Sequence, residues 1–214
     1  MSAPEPLKGL LSIVRAASSG ADETFIAIHA DNRIVACNGH VDLGTGIATA
    51  LRQIVAEELD VAPQRIDLVL GDTARTPDQG PTIASETIQV TAIPLRKAAA
   101  QARHVLLTRA AARLGTPAAE LTIDDGLVRG RDNHSVSFGE LVAGDATRIE
   151  LADDTPVKPV ESYRIVGRPL PRVDIPAKAT GEAVYVHDLR VPGMVHGRVV
   201  RPPYAGVDAG DFVG

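Results

Sequence analysis

From residue 33 to about residue 114 the sequence reads as strand, glycine loop, helix, strand, hydroxyl loop, helix, and few folds accommodate that order. Arg33 to Cys37 is an apolar strand. Asn38-Gly39-His40-Val41-Asp42-Leu43-Gly44-Thr45-Gly46 follows it as a loop with exposed backbone. Ile47, Leu51, Ile54, Val55 and Leu59 then recur at helical spacing, giving one apolar face. Asp60-Val61-Ala62-Pro63 ends that helix, since proline cannot continue it. Ile66, Leu68 and Leu70 alternate as a strand closed by Gly71-Asp72-Thr73. A long polar loop over residues 74 to 87 ends in Thr82-Ile83-Ala84-Ser85-Glu86-Thr87, and loops of that length are uncommon unless they bind something. An alanine-rich helix then runs from near Pro94 to Leu114, with Gly115 placed to cap it.

This order predicts an α+β fold, a mixed sheet with packed helices. Thr24 to His29 adds a strand before the unit, joined to it by the turn Ala30-Asp31-Asn32. After the unit, Asp124-Asp125-Gly126 signals a hairpin, and Ser137 with Glu140 signals a capping box for a short helix. Residues 1–22 read as a loose lead-in and 23–155 as the main domain. Residues 156–182, with Pro156, Pro159, Pro169, Pro171 and Pro176, read as a connector. Beyond it Ala183 to Val186 and Met194 to Val200 read as two strands of an incomplete second domain, 183–214, whose edges call for a partner.

Glycine ahead of a helix lets a ligand approach free N–H groups at the positive helix end, so Gly44-Thr45-Gly46 suits an anion. Thr82, Ser85 and Thr87 add hydroxyl donors for phosphate oxygens. From the residues alone, a glycine turn beside a polar surface loop is the favoured reading. The chain holds no Gly-x-x-x-x-Gly-Lys-Ser/Thr motif, and Thr49 breaks a Gly-x-Gly-x-x-Gly pattern at Gly44, so neither P-loop nor nicotinamide-type dinucleotide binding is supported. A net charge of -5, three Tyr, three Phe and no Trp disfavour nucleic-acid binding. Cys37, the single cysteine, excludes an internal disulfide, a cysteine-built zinc site and an iron–sulfur cluster on this chain. No signal peptide or membrane span is read, so the cytoplasm is the default, with a periplasmic or membrane-associated location reached only through a partner.

The stretch Val41 to Ser85, with Val-Asp-Leu-Gly-Thr-Gly-Ile, then Gln53 to Leu59, Gly71-Asp72-Thr73 and Thr82-Ile-Ala-Ser85, closely resembles the molybdopterin-binding large subunit of the xanthine dehydrogenase and aldehyde oxidase family. In that family a Gly-Gln-Gly loop and a Thr/Ala/Ser loop grip the pyranopterin and its phosphates. The resemblance carries those roles to Gly44, Thr45, Gly46 and to Thr82, Ala84, Ser85. A second stretch, Lys178 to Tyr185 with Asp188 and then Pro192 to His196, resembles the opening of the family's hammerhead-like α/β domain. That domain follows the glycine loop here, the order of the isoquinoline oxidoreductase and nicotinate dehydrogenase type.

Thr45 departs from the commoner glutamine and reaches less far toward the metal's oxo group. The family's catalytic Gly-x-Gly-Glu motif is absent. The resemblance therefore implies an N-terminal fragment that holds part of a molybdopterin, in dinucleotide form in the intact subunit, and carries no catalytic or metal-ligating residue of its own. Alone it is expected to be inactive and without cofactor. Its implied partners are the rest of its own subunit, an iron–sulfur subunit, a cytochrome and a small aldehyde or N-heterocycle substrate. A non-catalytic remnant or binding module of the same fold, and an unrelated phosphate-ligand enzyme, remain the alternatives.

Among the other polar residues, Cys37 reads as a core position, and His40 and Asp42 as solvated loop residues. Glu57 and Glu58 read as an exposed helix face. Arg96, Lys97, Arg103, Arg109 and Arg113 read as the exposed side of the alanine-rich helix, with Arg103 or Arg109 available to a phosphate. His187, Asp188 and His196 show no metal-ligand spacing.

Overall fold

The computed structural model describes residues 11–17, 20–144 and 146–201. Contacts divide the chain after Ile175. The first unit is built on a five-stranded mixed sheet. Its strands are β1 (Leu11–Ala16), β2 (Asp22–Ile28), β3 (Ile34–Asn38), β4 (Ile66–Leu70) and, much later in sequence, β8 (Thr147–Glu150), in the order β4-β3-β2-β1-β8. β1, β2 and β3 form an antiparallel meander, while β4 and β8 pair in parallel at its two sides. The expected lead-in thus contains a strand. Leu11 and Ile13 are fully buried in the interior of the sheet, and this alternation outweighs the polar residues around it.

Helix α1 (Ile47–Leu59) connects β3 to its parallel neighbour β4, and α2 (Ala92–Leu114) packs across β1, β2 and β3. Leu95, Ala98, Ala99, Ala102, Leu106 and Ala110 form the buried face of α2. Small side chains there let the helix approach the sheet closely. Leu51, Val55 and Leu59 supply the matching face of α1, joined in the core by Phe25, Ile26, Ile28 and Ile34. The opposite sheet face carries a smaller cluster of Ala27, Val35 and Cys37. Both long helices end in the left-handed conformation, at Asp60 and at Gly115. One π-helical turn, Thr87–Thr91, leads directly into α2, so helical structure begins earlier than Pro94.

A three-stranded antiparallel sheet, β5 (Thr122–Asp124), β6 (Leu127–Arg129) and β7 (Ser135–Ser137), follows α2. Its first hairpin turns at Asp125-Gly126, and Ser137 caps α3 (Phe138–Val142) through a reciprocal capping box with Glu140. The proline-rich stretch up to residue 175 lies against α1 rather than hanging free. Gln53 donates to the carbonyls of Ile165 and Arg168, and Thr49 accepts from the Val173 N–H.

Helix α4 (Ile175–Thr180) starts at the last residue of the first unit, and the second unit, from Pro176, contains the rest of it and a 3-10 turn, Val186–Asp188. The strands expected at 183–186 and 194–200 are absent among the described residues. A strand needs a hydrogen-bonded neighbour to be stable, and this stretch has none there; Val184, Val186, Val195, Val199 and Val200 stay exposed. Residues 1–10 of the lead-in and 202–214 lie outside the described residues.

Candidate functional site

β3 and β4 run parallel side by side, so their carboxyl ends lie at the same side of the sheet. The glycine loop leaves the first and the hydroxyl loop leaves the second. Clefts at the carboxyl ends of adjacent parallel strands are where open α/β sheets take ligands. Here the two loops close on one cavity of about 330 Å³, lined by Thr45, Thr82, Ala84, Ser85 and Thr87 together with apolar walls that include Leu43, Ile47, Ile83 and Ile88. Of the residues expected at the site, Thr45, Thr82, Ala84 and Ser85 face this cavity. Gly44 and Gly46 flank it as backbone, with φ of 96° and 82°. The loops are tied together where the Val41 N–H donates to Thr82 Oγ1 at 3.0 Å.

Ala84 and Ser85 both adopt the left-handed conformation, with φ of 50° and 60°. For non-glycine residues this costs roughly 1–2 kcal/mol each, a strain that concentrates at ligand sites. Beyond Ser85 the chain enters the π-helical turn, another feature frequent at functional sites.

The start of α1 differs from the expected open anion site. The Asp42 carboxylate accepts from the N–H groups of Gly44 (2.9 Å), Gly46 (3.1 Å) and Ala48 (3.1 Å). Burial alone would raise its pKa, but these N–H bonds outweigh it and hold the carboxyl below its ordinary 3.8. Asp42 is therefore the cap of α1, not a solvated loop residue, and the protein's own carboxylate takes the place an external anion would occupy. Arg172 covers the outer side of the loop, donating to the Gly44 carbonyl at 3.0 Å while paired with Asp174 at 2.6 Å. A Cβ on Gly46 would sit 3.2 Å from the Arg172 side chain, so this glycine answers to a close approach as well as to φ.

Three further expectations are corrected. His40 is fully buried, with its ring between Thr87 and the Gln79 carbonyl. Glu57 and Glu58 are buried as well. Glu57 accepts from three consecutive backbone N–H groups, those of Arg164, Ile165 and Val166, and Glu58 pairs with Arg96 at 2.7 Å. The basic side chains of α2 are likewise engaged with the protein. Arg103 pairs with Asp60, and Arg109 donates to the Leu141 carbonyl and to Thr147, so neither serves a phosphate in the cavity. A larger hollow of about 540 Å³ between α2 and residues 152–159 includes none of the loop residues, and its Glu58, Arg103 and Lys158 are already paired. Cys37 is a core residue, its thiol pushed up to about 12 by burial. No cluster of three metal-ligating side chains exists among the described residues.

Two loops that converge on one cleft at the ends of parallel strands define a cofactor-binding module, and comparison with known proteins gives its family. The family model for the molybdopterin cofactor-binding domain matches residues 8–185, and the chain belongs to that family. It is 60% identical over 190 residues to a nicotinate dehydrogenase chain of Pseudomonas putida, covering 89% of this chain and 16% of that protein. It is 34% identical to the beta chain of isoquinoline 1-oxidoreductase from Brevundimonas diminuta, covering 86% of this chain and 29% of that protein. Among solved structures, the CO dehydrogenase of Oligotropha carboxidovorans matches 61% of this chain and 18% of its own, with a TM-score of 0.48 at 22% identity. The chain spans less than a third of the length of either curated relative. Among the described residues no helix is long and apolar enough to cross a membrane.

The residues fit a pterin. The cavity is within the size range of small-molecule sites, and its apolar walls suit the faces of a flat heterocycle. The hydroxyls of Thr45, Thr82 and Ser85 offer hydrogen bonds to its polar edges.

Proposed function

We propose that this chain is the pterin-gripping part of a molybdenum hydroxylase subunit that oxidises an aldehyde or N-heterocycle with oxygen from water. The observation that carries this reading is the convergence of the 44–46 and 82–85 loops, far apart in sequence, on one cavity. The bound cofactor supplies the two-electron oxidation; the protein supplies binding and orientation. Gly44 and Gly46 let the ligand approach the backbone, while Thr45, Thr82 and Ser85 fix its polar edges. Because Asp42 fills the α1 terminus, the anionic tail of the cofactor, in dinucleotide form, is assigned to the hydroxyl loop. Ala84 and Ser85 are held in a strained conformation that aims this loop. Electrons leave to iron–sulfur centres outside these residues, whose one cysteine, Cys37, is buried, in an iron–sulfur subunit and onward to a cytochrome. The segment from 183 begins a hammerhead-like domain of the same subunit.

The test is made on the subunit isolated from its source with its partner chains. Thr82→Val and Ser85→Ala are each expected to lower molybdenum, by mass spectrometry, and pterin, by fluorescence after oxidative release. Full stoichiometry of both in the combined variant refutes the site. A wild-type complex devoid of molybdenum and pterin favours the non-catalytic binding module instead.

A further inference from the structure

Thr87 lines the cavity at the start of the π-helical turn, and a buried histidine determines what its hydroxyl offers. His40 Nε2 lies 3.3 Å from the Gln79 carbonyl, and His40 Nδ1 lies 2.8 Å from Thr87 Oγ1. A carbonyl only accepts, so Nε2 carries the proton of the neutral ring. Nδ1 is then a bare acceptor, and the one hydrogen of the Thr87 hydroxyl goes to it. What remains for any further partner is the lone pairs of Oγ1.

The frame around His40 is fixed on every side. Its own N–H donates to Asn38 Oδ1. Asn38 donates to the Thr91 carbonyl, and the Gln79 side chain bridges the Gly39 N–H and the Thr91 carbonyl. Asn38, His40, Thr87 and Thr91 are all buried, which makes this one connected polar cluster beside the site.

We infer that His40 is a positioning residue that makes Thr87 an acceptor toward the cavity, and that the bound group turns an N–H to it. The inference rests on the pterin-binding reading and deepens it. The ring and amino N–H groups of a pterin are donors of this kind, whereas a phosphate oxygen facing Thr87 Oγ1 finds no proton. The cofactor is thereby oriented with its heterocycle, not its anionic tail, at Thr87.

The experiment uses the holo-complex and follows the half-life of bound pterin after gel filtration, with thermal unfolding measured on the same samples. Thr87→Ser keeps the hydroxyl and is expected to retain pterin like the wild type. Thr87→Val leaves a buried donor unpaired and is expected to shorten the half-life about tenfold. At position 40 two amides separate orientation from structure. His40→Asn sets an acceptor oxygen near the former Nδ1, so pterin is retained. His40→Gln reaches the Gln79 carbonyl but leaves Thr87 free to turn, so pterin is lost several-fold faster. Equal loss in the Asn and Gln variants, tracking their melting temperatures, makes His40 purely structural and overturns the inference. Wild-type retention in Thr87→Val, alongside loss in Thr82→Val and Ser85→Ala, overturns it while leaving the site in place. Full retention in all of these variants sinks both.

Discussion

Glu57 is the residue whose removal the structure makes most costly, because it holds the proline-rich segment onto α1. Its side chain is 3% exposed. Oε2 accepts from the N–H groups of Arg164 (3.0 Å), Ile165 (2.6 Å) and Val166 (2.9 Å), while Oε1 accepts from Arg164 (3.1 Å) and lies 3.9 Å from Lys158 Nζ. Glu57→Gln retains one oxygen. Placed at the Oε2 position it keeps the three N–H bonds in neutral form, and its NH2 then faces the Arg164 N–H and Lys158. Weakening charge-assisted bonds to neutral ones, with one donor facing another, costs about 2 kcal/mol. Glu57→Ala leaves three N–H groups and Lys158 without the carboxylate, and costs about 4 kcal/mol. Urea unfolding measures both losses. Trypsin cleavage after Arg164, which Ile165 follows, reads the local part, since about 4 kcal/mol corresponds to roughly a thousandfold greater opening of the segment. Unchanged cleavage with a loss under about 0.5 kcal/mol in Glu57→Ala refutes the claim that this carboxylate pins the segment, since surface substitutions fall in that range. The consequence reaches the site, because the pinned segment carries Arg172, which donates to the Gly44 carbonyl.

Asp42→Ala removes the cap of α1 and is expected to cost about 1 kcal/mol in urea unfolding. The Asp42 carboxyl is lowered in the folded chain, so its contribution is present above its unfolded pKa and is lost as pH falls through the folded value. The stability of Asp42→Ala should therefore converge on the wild type in acid, and a constant gap from neutral pH down through that range contradicts the capping role. For Cys37 the sign is opposite. Between its ordinary 9.0 and about 12 the unfolded chain releases the thiol proton while the folded chain keeps it, so stability falls as pH rises through that window. Cys37→Ala, assayed by denaturant titration across pH 8 to 11, should lack this component; an identical slope removes the assignment. Iodoacetamide at pH 8 should label Cys37 only after unfolding, and native labelling shows the strand to be open. Ala84→Gly relieves a left-handed alanine and is expected to raise stability by about 0.5 kcal/mol or more; a lower melting temperature refutes strain in that loop.

The elements that sequence patterning identifies are those whose stability is local. Helix α1 announces itself through Leu51, Val55 and Leu59, and α2 through its alanines and Gly115, because a helix makes its hydrogen bonds within itself. Strand β1 and strand β8 are different. β8 is four residues long, and only its pairing with Leu11–Val14 defines it. Ala183 to Val186 shows the converse, a β-like composition that finds no partner among the described residues. Composition supplies the propensity for a strand and the neighbour supplies the structure.

The site divides along the same line. That glycines precede a helix, and that hydroxyls crowd the loop after the next strand, is visible in the residue order. Their convergence follows from β3 and β4 being parallel neighbours, which the helix between them already suggests. What stays hidden is how the polar groups are spent. Asp42, two residues before Gly44, turns back to cap the helix, so an apparently open anion site is already filled by the chain. Glu57 and Glu58 occupy adjacent positions on a helix whose polar face would ordinarily meet water; a distant segment, 158–166, covers them and takes their charges. His40 reads as a loop residue because Thr87 and Gln79, which bury it, lie some forty residues away. In each case the residue type limits the chemistry and a remote contact selects one use of it. The same contacts give the cavity its character, since they engage the Thr87 hydroxyl with His40 and occupy the α1 terminus with Asp42.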